Sequence, residues 1–324
     1  MIRSIIAATG SYLPERIVTN KDLESIVETT DEWIVQRSGI RERRVAAEGQ
    51  ATSDLAIRAA KRALEASGLQ ASDIDAVIVA TTTPDQTFPS VAVRVQTGLG
   101  MNTGGIAFDV QAVCTGFVYA MAVADNFIRL GQARRIMVIG AEKMSAILNW
   151  SDRTTCVLFG DGAGAVILEA SEEKGGKDDR GVLSTHLHAN GTLTDILYTD
   201  GGPSTTGQAG KIVMQGKEVF KNAVNLMAEV VNETLEHNGI SAAEIDWLVP
   251  HQANIRIIQS TAEKLNMDIS KVVLTVEKHG NTSAASIPLA LDEAVRDGRI
   301  KRGQLLLMEA LGGGLTWGAA LVRF

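Results

Sequence analysis

Apolar residues fall in short unbroken runs separated by amphipathic stretches, and the same succession occurs twice. Ala76-Val-Ile-Val-Ala80 and the run after Arg135, Ile136-Met-Val-Ile139, read as strands buried on both faces. Residues 63–75 align without a gap to residues 234–246, an offset of 171 in a chain of 324. In each copy a helix closes at a glycine, Gly68 or Gly239, and a strand follows, Ala76–Ala80 or Trp247–Val249. Arg135–Ile139 then matches Gln304–Met308, and Gly162–Leu168 resembles Trp317–Val322. The pattern predicts strand, helix, strand, helix, strand and glycine-rich strand, run twice. This is an α/β architecture in which two helix-covered sheets share central helices. The hydrophilic segment Ser171–Arg180 is the expected surface connection, dividing the chain into halves 1–172 and 173–324.

The duplication directs attention to two polar residues. Cys114 follows Ile106–Val110 and opens a helical stretch that closes at Gly131; Asn281 follows Val272–Val276 and opens one that closes at Gly298. Both spans are 17 residues, which predicts matching places at related helix N-termini facing a common seam. A buried cysteine is ordinarily packing, but at a helix N-terminus the free N–H groups and dipole favour thiolate. Cys156, before Val157-Leu-Phe159, reads as core strand. His251 ends the run Trp247-Leu-Val-Pro250, where α/β folds present functional groups, and its repeat partner is Ala80. Asn281 taken alone reads as a helix cap. His279, between Lys278 and Gly280, reads as an exposed turn. His186 and His188 share a strand face, but no carboxylate or cysteine stands at ligand spacing, so no metal site is expected. Gly160–Gly164 precedes a strand instead of opening a helix and fails the dinucleotide pattern. Gly312-Gly-Gly314 permits close backbone approach and could supply an oxyanion donor.

Composition narrows the function class. Apolar residues make up 45% of the chain, and the net charge of −7 argues against nucleic acid as partner. No apolar run is long enough to span a bilayer, and the N-terminus reads as a first strand, not a signal peptide. Two cysteines imply no disulfide framework and a reducing, cytoplasmic setting.

At this level the chain resembles the thiolase superfamily and, most closely, the β-ketoacyl-acyl carrier protein synthase III family. The motifs span the chain: Asp31–Arg43, Cys114-Thr-Gly-Phe117, Phe159–Ala165, Val249–Asn254, Gly280–Ala285 and Gly312–Gly314. The resemblance implies an αβαβα layered sandwich, a Cys114–His251–Asn281 catalytic set and a two-stage decarboxylating Claisen condensation. Cys114 takes the acyl group of a short acyl-CoA, expected to be acetyl. Malonyl-acyl carrier protein then condenses with it, initiating fatty-acid synthesis. His251 Nε2 and the Asn281 amide would stabilise the enolate, and the backbone N–H groups of Cys114 and Gly313 the tetrahedral oxyanion.

The same resemblance assigns Trp33 and Arg153 to the CoA adenine, Arg37 to a nearby phosphate or adenine contact, and Asn254 to the pantetheine arm. Phe88 would cross a homodimer interface to floor the partner's acyl pocket. Arg256 and Lys221 would receive the acidic carrier protein. Leu311 stands where the family commonly has Phe, which leaves more room near the nucleophile. Lys217 replaces a common pantetheine-contacting Asn and would reach a phosphate or a carrier-protein acid. Acyl-CoA is a substrate, and no separate cofactor, metal, nucleic acid or membrane partner is implied. The nearest rival is a superfamily relative with another primer or acceptor, of alkylquinolone or polyketide type. A papain-like hydrolase also runs Cys, His, Asn along the chain, but lacks the duplicated pattern. A carrier-protein-binding scaffold would leave Cys114 unreactive.

Overall fold

The computed structural model describes residues Met1–Phe324. The first half runs β1 (Ile2–Tyr12), β2 (Arg16–Thr19), α1 (Asn20–Leu23), α2 (Asp31–Ser38), β3 (Glu42–Val45), α3 (Thr52–Ser67), β4 (Ala76–Ala80), α4 (Val91–Leu99), β5 (Ile106–Val110), α5 (Gly116–Arg129), β6 (Arg135–Lys143) and β7 (Asp161–Glu172). The second runs β8 (Gly181–Ala189), β9 (Leu197–Thr199), β10 (Ile212–Met214), α6 (Gly216–Asn238), β11 (Trp247–Pro250), α7 (Ile255–Lys264), α8 (Val276–His279), α9 (Ser286–Arg296), β12 (Leu305–Gly312) and β13 (Thr316–Arg323).

The larger sheet has the order β1-β7-β6-β4-β5 and the smaller β11-β12-β13-β8. Strand alternation sets the layers. Ala76, Ile78 and Ala80 of β4 and Leu306, Met308 and Ala310 of β12 enter one core with α5 and α9 between the sheets. The intervening Val77 and Val79 pack outward on α3 and α4. Leu305 and Leu307 likewise pack outward on α6 and α7. Five layers, αβαβα, result. The matched glycines do the expected work: Gly68 at φ +71° and Gly239 at φ +61° end α3 and α6 in the left-handed conformation. Asp75 and Asp246 also share a duty. Asp75 Oδ2 accepts the Arg135 N–H at 2.8 Å, and Asp246 Oδ2 that of Leu305 at 2.7 Å, so each pins the start of a neighbouring strand.

Those contacts correct the sequence register. Ile136 lies beside Ala76, and Leu306 beside Trp247, so Arg135 corresponds to Leu305 and not Gln304. One residue is enough to exchange inner and outer faces. The run Val272–Val276, expected as a strand like β5, makes only a single bridge from Val272 to Leu248 before α8 begins. Cys156 is fully buried, as expected of core, but lies in a turn and not a strand.

The matching of Cys114 with Asn281 is also displaced. Val113 and Ser283 both have φ +49°, and each begins a 3-10 turn, Val113–Thr115 or Ser283–Ala285, that leads into a central helix. Cys114 therefore corresponds to Ala284, and Asn281 lies three residues upstream. Counting back from the closing glycines misled because α5 has 14 residues and α9 only 11. The two turns do meet: a Cβ on Gly116 would stand 3.4 Å from that of Ala284. No helix is long and apolar enough to cross a membrane.

Candidate active site

A chamber of about 390 Å³ opens where the two halves meet, and Cys114, His251, Asn281, Asn254, Leu311 and Gly313 all line it. Most of the remaining lining is apolar, including Met144, Ile147, Phe159, Ile212, Phe220 and Met227.

Cys114 is 5% exposed, lifted into the chamber by the left-handed Val113 before it. Gly312 makes that placement possible, since a Cβ there would meet the Cys114 nitrogen at 2.7 Å. No protein acceptor takes the N–H of Cys114 or of Gly313, so both donors remain available. The expected thiolate is not what the resting site favours. Burial pushes the Cys114 thiol up to about 12, with a hydrogen bond from Ser283 pulling the other way and the charge of Glu142 adding to the rise. Desolvation of the charged form outweighs a helix end here.

His251 is 3% exposed, its backbone N–H held by the Glu309 carbonyl at 2.8 Å. Ser286 Oγ lies 2.6 Å from His251 Nδ1 and accepts the Gln252 N–H at 3.3 Å. A Ser286 hydroxyl that donates to Nδ1 keeps the ring proton on Nε2, the tautomer that can donate into the chamber. Burial holds His251 down to about 3, so the imidazole is neutral. Asn281 is anchored through its backbone: its N–H donates to the Leu158 carbonyl at 2.8 Å, and its carbonyl accepts the Gly160 N–H at 2.9 Å. Its Oδ1 accepts the Ser283 N–H at 2.8 Å. The amide oxygen is thus engaged and the NH2 is the free end. Arg43 supports this segment, donating to the Val157 carbonyl at 2.6 Å from a fully buried position. Together these groups offer a buried nucleophile, two neutral side-chain donors and two free backbone donors around one apolar space.

The remaining candidates lie at the rim. Arg37 and Arg153 stack against Trp33, with guanidinium carbons 4.6 and 5.2 Å from the ring centroid. Those distances leave no room for a base between Trp33 and Arg153, so Arg153 must swing aside before an adenine can be sandwiched there. Asn254 caps α7 through Oδ1 and donates to the Arg37 carbonyl at 2.9 Å, linking the rim to the chamber. Lys217, Lys221 and Arg256 are exposed, form no ion pair and flank the mouth; Arg256 lies over Phe220 at 5.6 Å. Phe88 is 82% exposed and does not line its own chain's chamber.

One histidine reading is overturned and another gains a partner. His279 is buried, not on an exposed turn, and pairs with Glu293 at 3.3 Å outside the chamber. His186 and His188 do have a carboxylate: Glu233 of α6 lies 3.0 Å from His186 Nδ1 and 2.6 Å from His188 Nε2. Spacing along one strand could not reveal a partner on another element. No group of three or more metal-ligating side chains is arranged to hold a metal ion. The sequence reading missed Ser283, Ser286 and Glu142, which support the reactive side chains from behind.

Comparison with known proteins fits this geometry. Residues 108–191 match the family model for 3-oxoacyl-[acyl-carrier-protein (ACP)] synthase III, and residues 235–324 match the model for its C-terminal part. A β-ketoacyl-[acyl-carrier-protein] synthase III from Rhodospirillum centenum is 64% identical, covering 100% of this chain and 99% of its own. The crystal structure of 3-oxoacyl-[acyl-carrier-protein] synthase III from Aquifex aeolicus superposes with a TM-score of 0.93 at 49% identity, covering 99% of this chain and 100% of that one. The priming β-ketosynthase of the R1128 polyketide pathway superposes at 0.91 with 34% identity, covering 98% and 95%. With relatives this close along its whole length, the chain belongs to the β-ketoacyl-acyl carrier protein synthase III family.

Proposed function

We propose that this protein condenses a short acyl-CoA, acetyl-CoA first, with malonyl-acyl carrier protein and so initiates fatty-acid synthesis. The observation that carries the reading is the convergence of Cys114, His251, Asn281 and the free Gly313 N–H on one buried apolar chamber. The first half, 1–172, supplies the nucleophile and the second, 173–324, the side-chain donors. Cys114 attacks the acyl-CoA carbonyl, forming the acyl-enzyme and releasing CoA. The Cys114 and Gly313 N–H groups receive the tetrahedral oxyanion. Malonyl-acyl carrier protein then enters and loses CO2. His251 Nε2–H and the Asn281 NH2 receive the enolate oxygen, and its carbon attacks acyl-Cys114. These steps call on no separate cofactor, and a free thiol nucleophile suits the reducing cytoplasm. The test is reconstitution with acyl-CoA and malonyl-acyl carrier protein. A 3-ketoacyl-carrier protein and one CO2 per turnover support the reading; acylation without condensation on malonyl-acyl carrier protein moves it to a relative with another acceptor.

Trp33, Arg37 and Arg153 receive the nucleotide end of CoA, Asn254 the pantetheine arm, and Lys217, Lys221 and Arg256 the acidic carrier protein. Reversing charge with Arg256→Glu is expected to raise KM for malonyl-acyl carrier protein about tenfold while acyl loading from CoA is unchanged. Equal kinetics with the carrier protein would remove Arg256 from the docking face.

The edge strand β5 supports a homodimer. It is one of the two edge strands of the larger sheet, carries half-buried Ile106, Phe108 and Val110, and invites pairing with a second copy. Phe88 then enters the partner's chamber as its floor, near Leu311. Phe88→Thr is expected to raise loading of hexanoyl-CoA relative to acetyl-CoA by about tenfold or more, the scale of a few methylenes in an apolar pocket. An unchanged chain-length preference would place Phe88 outside the acyl pocket.

A further inference from the structure

Ser283 begins its 3-10 turn at φ +49°, in the left-handed region disfavoured for a residue with a β-carbon. Its N–H donates to Asn281 Oδ1 at 2.8 Å, which decides the end of that amide left facing the chamber. Its hydroxyl serves a different contact. It donates to Glu142 Oε1 at 3.1 Å, across 141 residues and from one half of the chain to the other.

The duplicated fold requires neither side chain. The repeat places Val113 where Ser283 stands, and Val113 makes the same turn at the same φ with no hydroxyl. The register that matches Arg135 with Leu305 matches Glu142 with Gly312. A carboxyl in this place is also costly. Glu142 is fully buried near the end of β6, and burial raises it to about 7.

Glu142 is itself a fixed point. The Thr82 N–H donates to both of its oxygens at 3.1 Å and the Thr83 N–H to Oε2 at 3.1 Å. The Thr81 hydroxyl, at 3.2 Å, and the Thr83 hydroxyl add to them. All of these donors belong to the turn after β4, so the carboxyl is fastened to the larger sheet. Two residues earlier, on the same face of β6, Gly140 lets the second half come close: a Cβ there would collide with the Ala284 carbonyl. The end of β6 therefore lies against the turn that carries Ser283, and Glu142 reaches from it into that turn.

We propose that Glu142 is a positioning residue for decarboxylation. It holds Ser283, and through the Ser283 N–H it holds Asn281 with its NH2 turned into the chamber. Without that tether the turn is free to relax, and the Asn281 amide loses the partner that distinguishes its two ends. The donor is then present but misaimed when enolate charge develops. The inference rests on the condensation reading for the step it serves, whereas the placement of Asn281 can be read without it.

Two measurements keep these apart. Crystal structures of Glu142→Gln and Ser283→Gly read the placement directly. Glycine accepts φ +49° without strain, so Ser283→Gly removes the hydroxyl, keeps the N–H, and decides the matter if Glu142→Gln does not fold. In both variants the Asn281 amide is expected to be rotated or displaced from the residue 283 N–H. Single-turnover CO2 release from acetyl-enzyme reads the consequence. Both changes should slow it about tenfold, less than loss of the donor itself, while acetylation by acetyl-CoA changes by less than about threefold. In an Asn281→Ala background neither change should slow release further, because a residue that acts through Asn281 has nothing left to position. An unmoved Asn281 amide in the folded variants overturns the proposal. So does slowing that persists in the Asn281→Ala background or falls equally on both half-reactions. A displaced amide in the variants, together with a wild type that takes acetyl but releases no CO2, supports the positioning and removes the condensation reading instead.

Discussion

Cys114→Ala is expected to lose acyl transfer from CoA by about a millionfold, the scale on which removal of a covalent nucleophile registers. Intact mass after incubation with acetyl-CoA should show one acetyl increment on wild type and none on the variant. The loss should be chemical. Cys114 is small, its helix is held by Gly312 approaching closely and by the Thr115 hydroxyl donating to the Thr316 carbonyl at 3.0 Å, and alanine fits the same backbone. The stability change should be about 1 kcal/mol, with unaltered circular dichroism. Cys114→Ser should fail as well, since a hydroxyl is much harder to ionise than a thiol already pushed up to about 12 by burial. An acetyl increment on Cys114→Ala would move the nucleophile elsewhere. Cys156, the other thiol, is fully buried and does not line the chamber.

The depth at which the sequence was readable follows from the range of the interactions. Layers were legible because strand alternation and closing glycines are local signals: Gly68 and Gly239 each need a left-handed backbone, and both mark real helix ends. The duplication was legible because Asp75 and Asp246 perform one task at two strand starts. Register was less so. The three-residue difference between α5 and α9 moved the partner of Cys114 from Asn281 to Ala284. Groups on separate elements were invisible to spacing along the chain. Glu233 reaches two histidines from α6, and Glu142 reaches Ser283 from a position 141 residues earlier. Electrostatics was the least legible. A helix N-terminus suggested a lowered thiol, but the sign is set by burial, which only the fold supplies.

That same burial governs the second large effect. His251→Ala should load acetyl from CoA at close to the wild-type rate yet release CO2 from malonyl-acyl carrier protein about 10²–10³-fold more slowly, as for loss of an oxyanion donor. Asn281→Ala should behave alike. The separation follows from where each donor points its hydrogen. Ser286 occupies His251 Nδ1 and Ser283 N–H occupies Asn281 Oδ1, so Nε2 and the amide NH2 are the ends left for an enolate. The Cys114 and Gly313 N–H groups, the donors proposed for acylation, are untouched by either change. The pH dependence has a fixed sign. Burial lowers His251 to about 3, so it is already deprotonated and neutral from mildly acid to alkaline pH, and lowering the pH toward 5 should not switch it off. Condensation from a pre-acetylated enzyme should therefore show no limb belonging to His251 between about pH 5 and 9, although a free imidazole titrates in that interval. Single-turnover measurement of labelled CO2 release, begun from acetyl-enzyme, reads both expectations. Normal decarboxylation by His251→Ala, or a wild-type limb near 6.5 that vanishes in that variant, would mean that His251 works as a charged acid or base. A neutral donor suits the chemistry better: the enolate it meets is formed by loss of CO2, with no proton to remove, and a preset dipole in an apolar chamber stabilises that charge without first having to acquire one of its own.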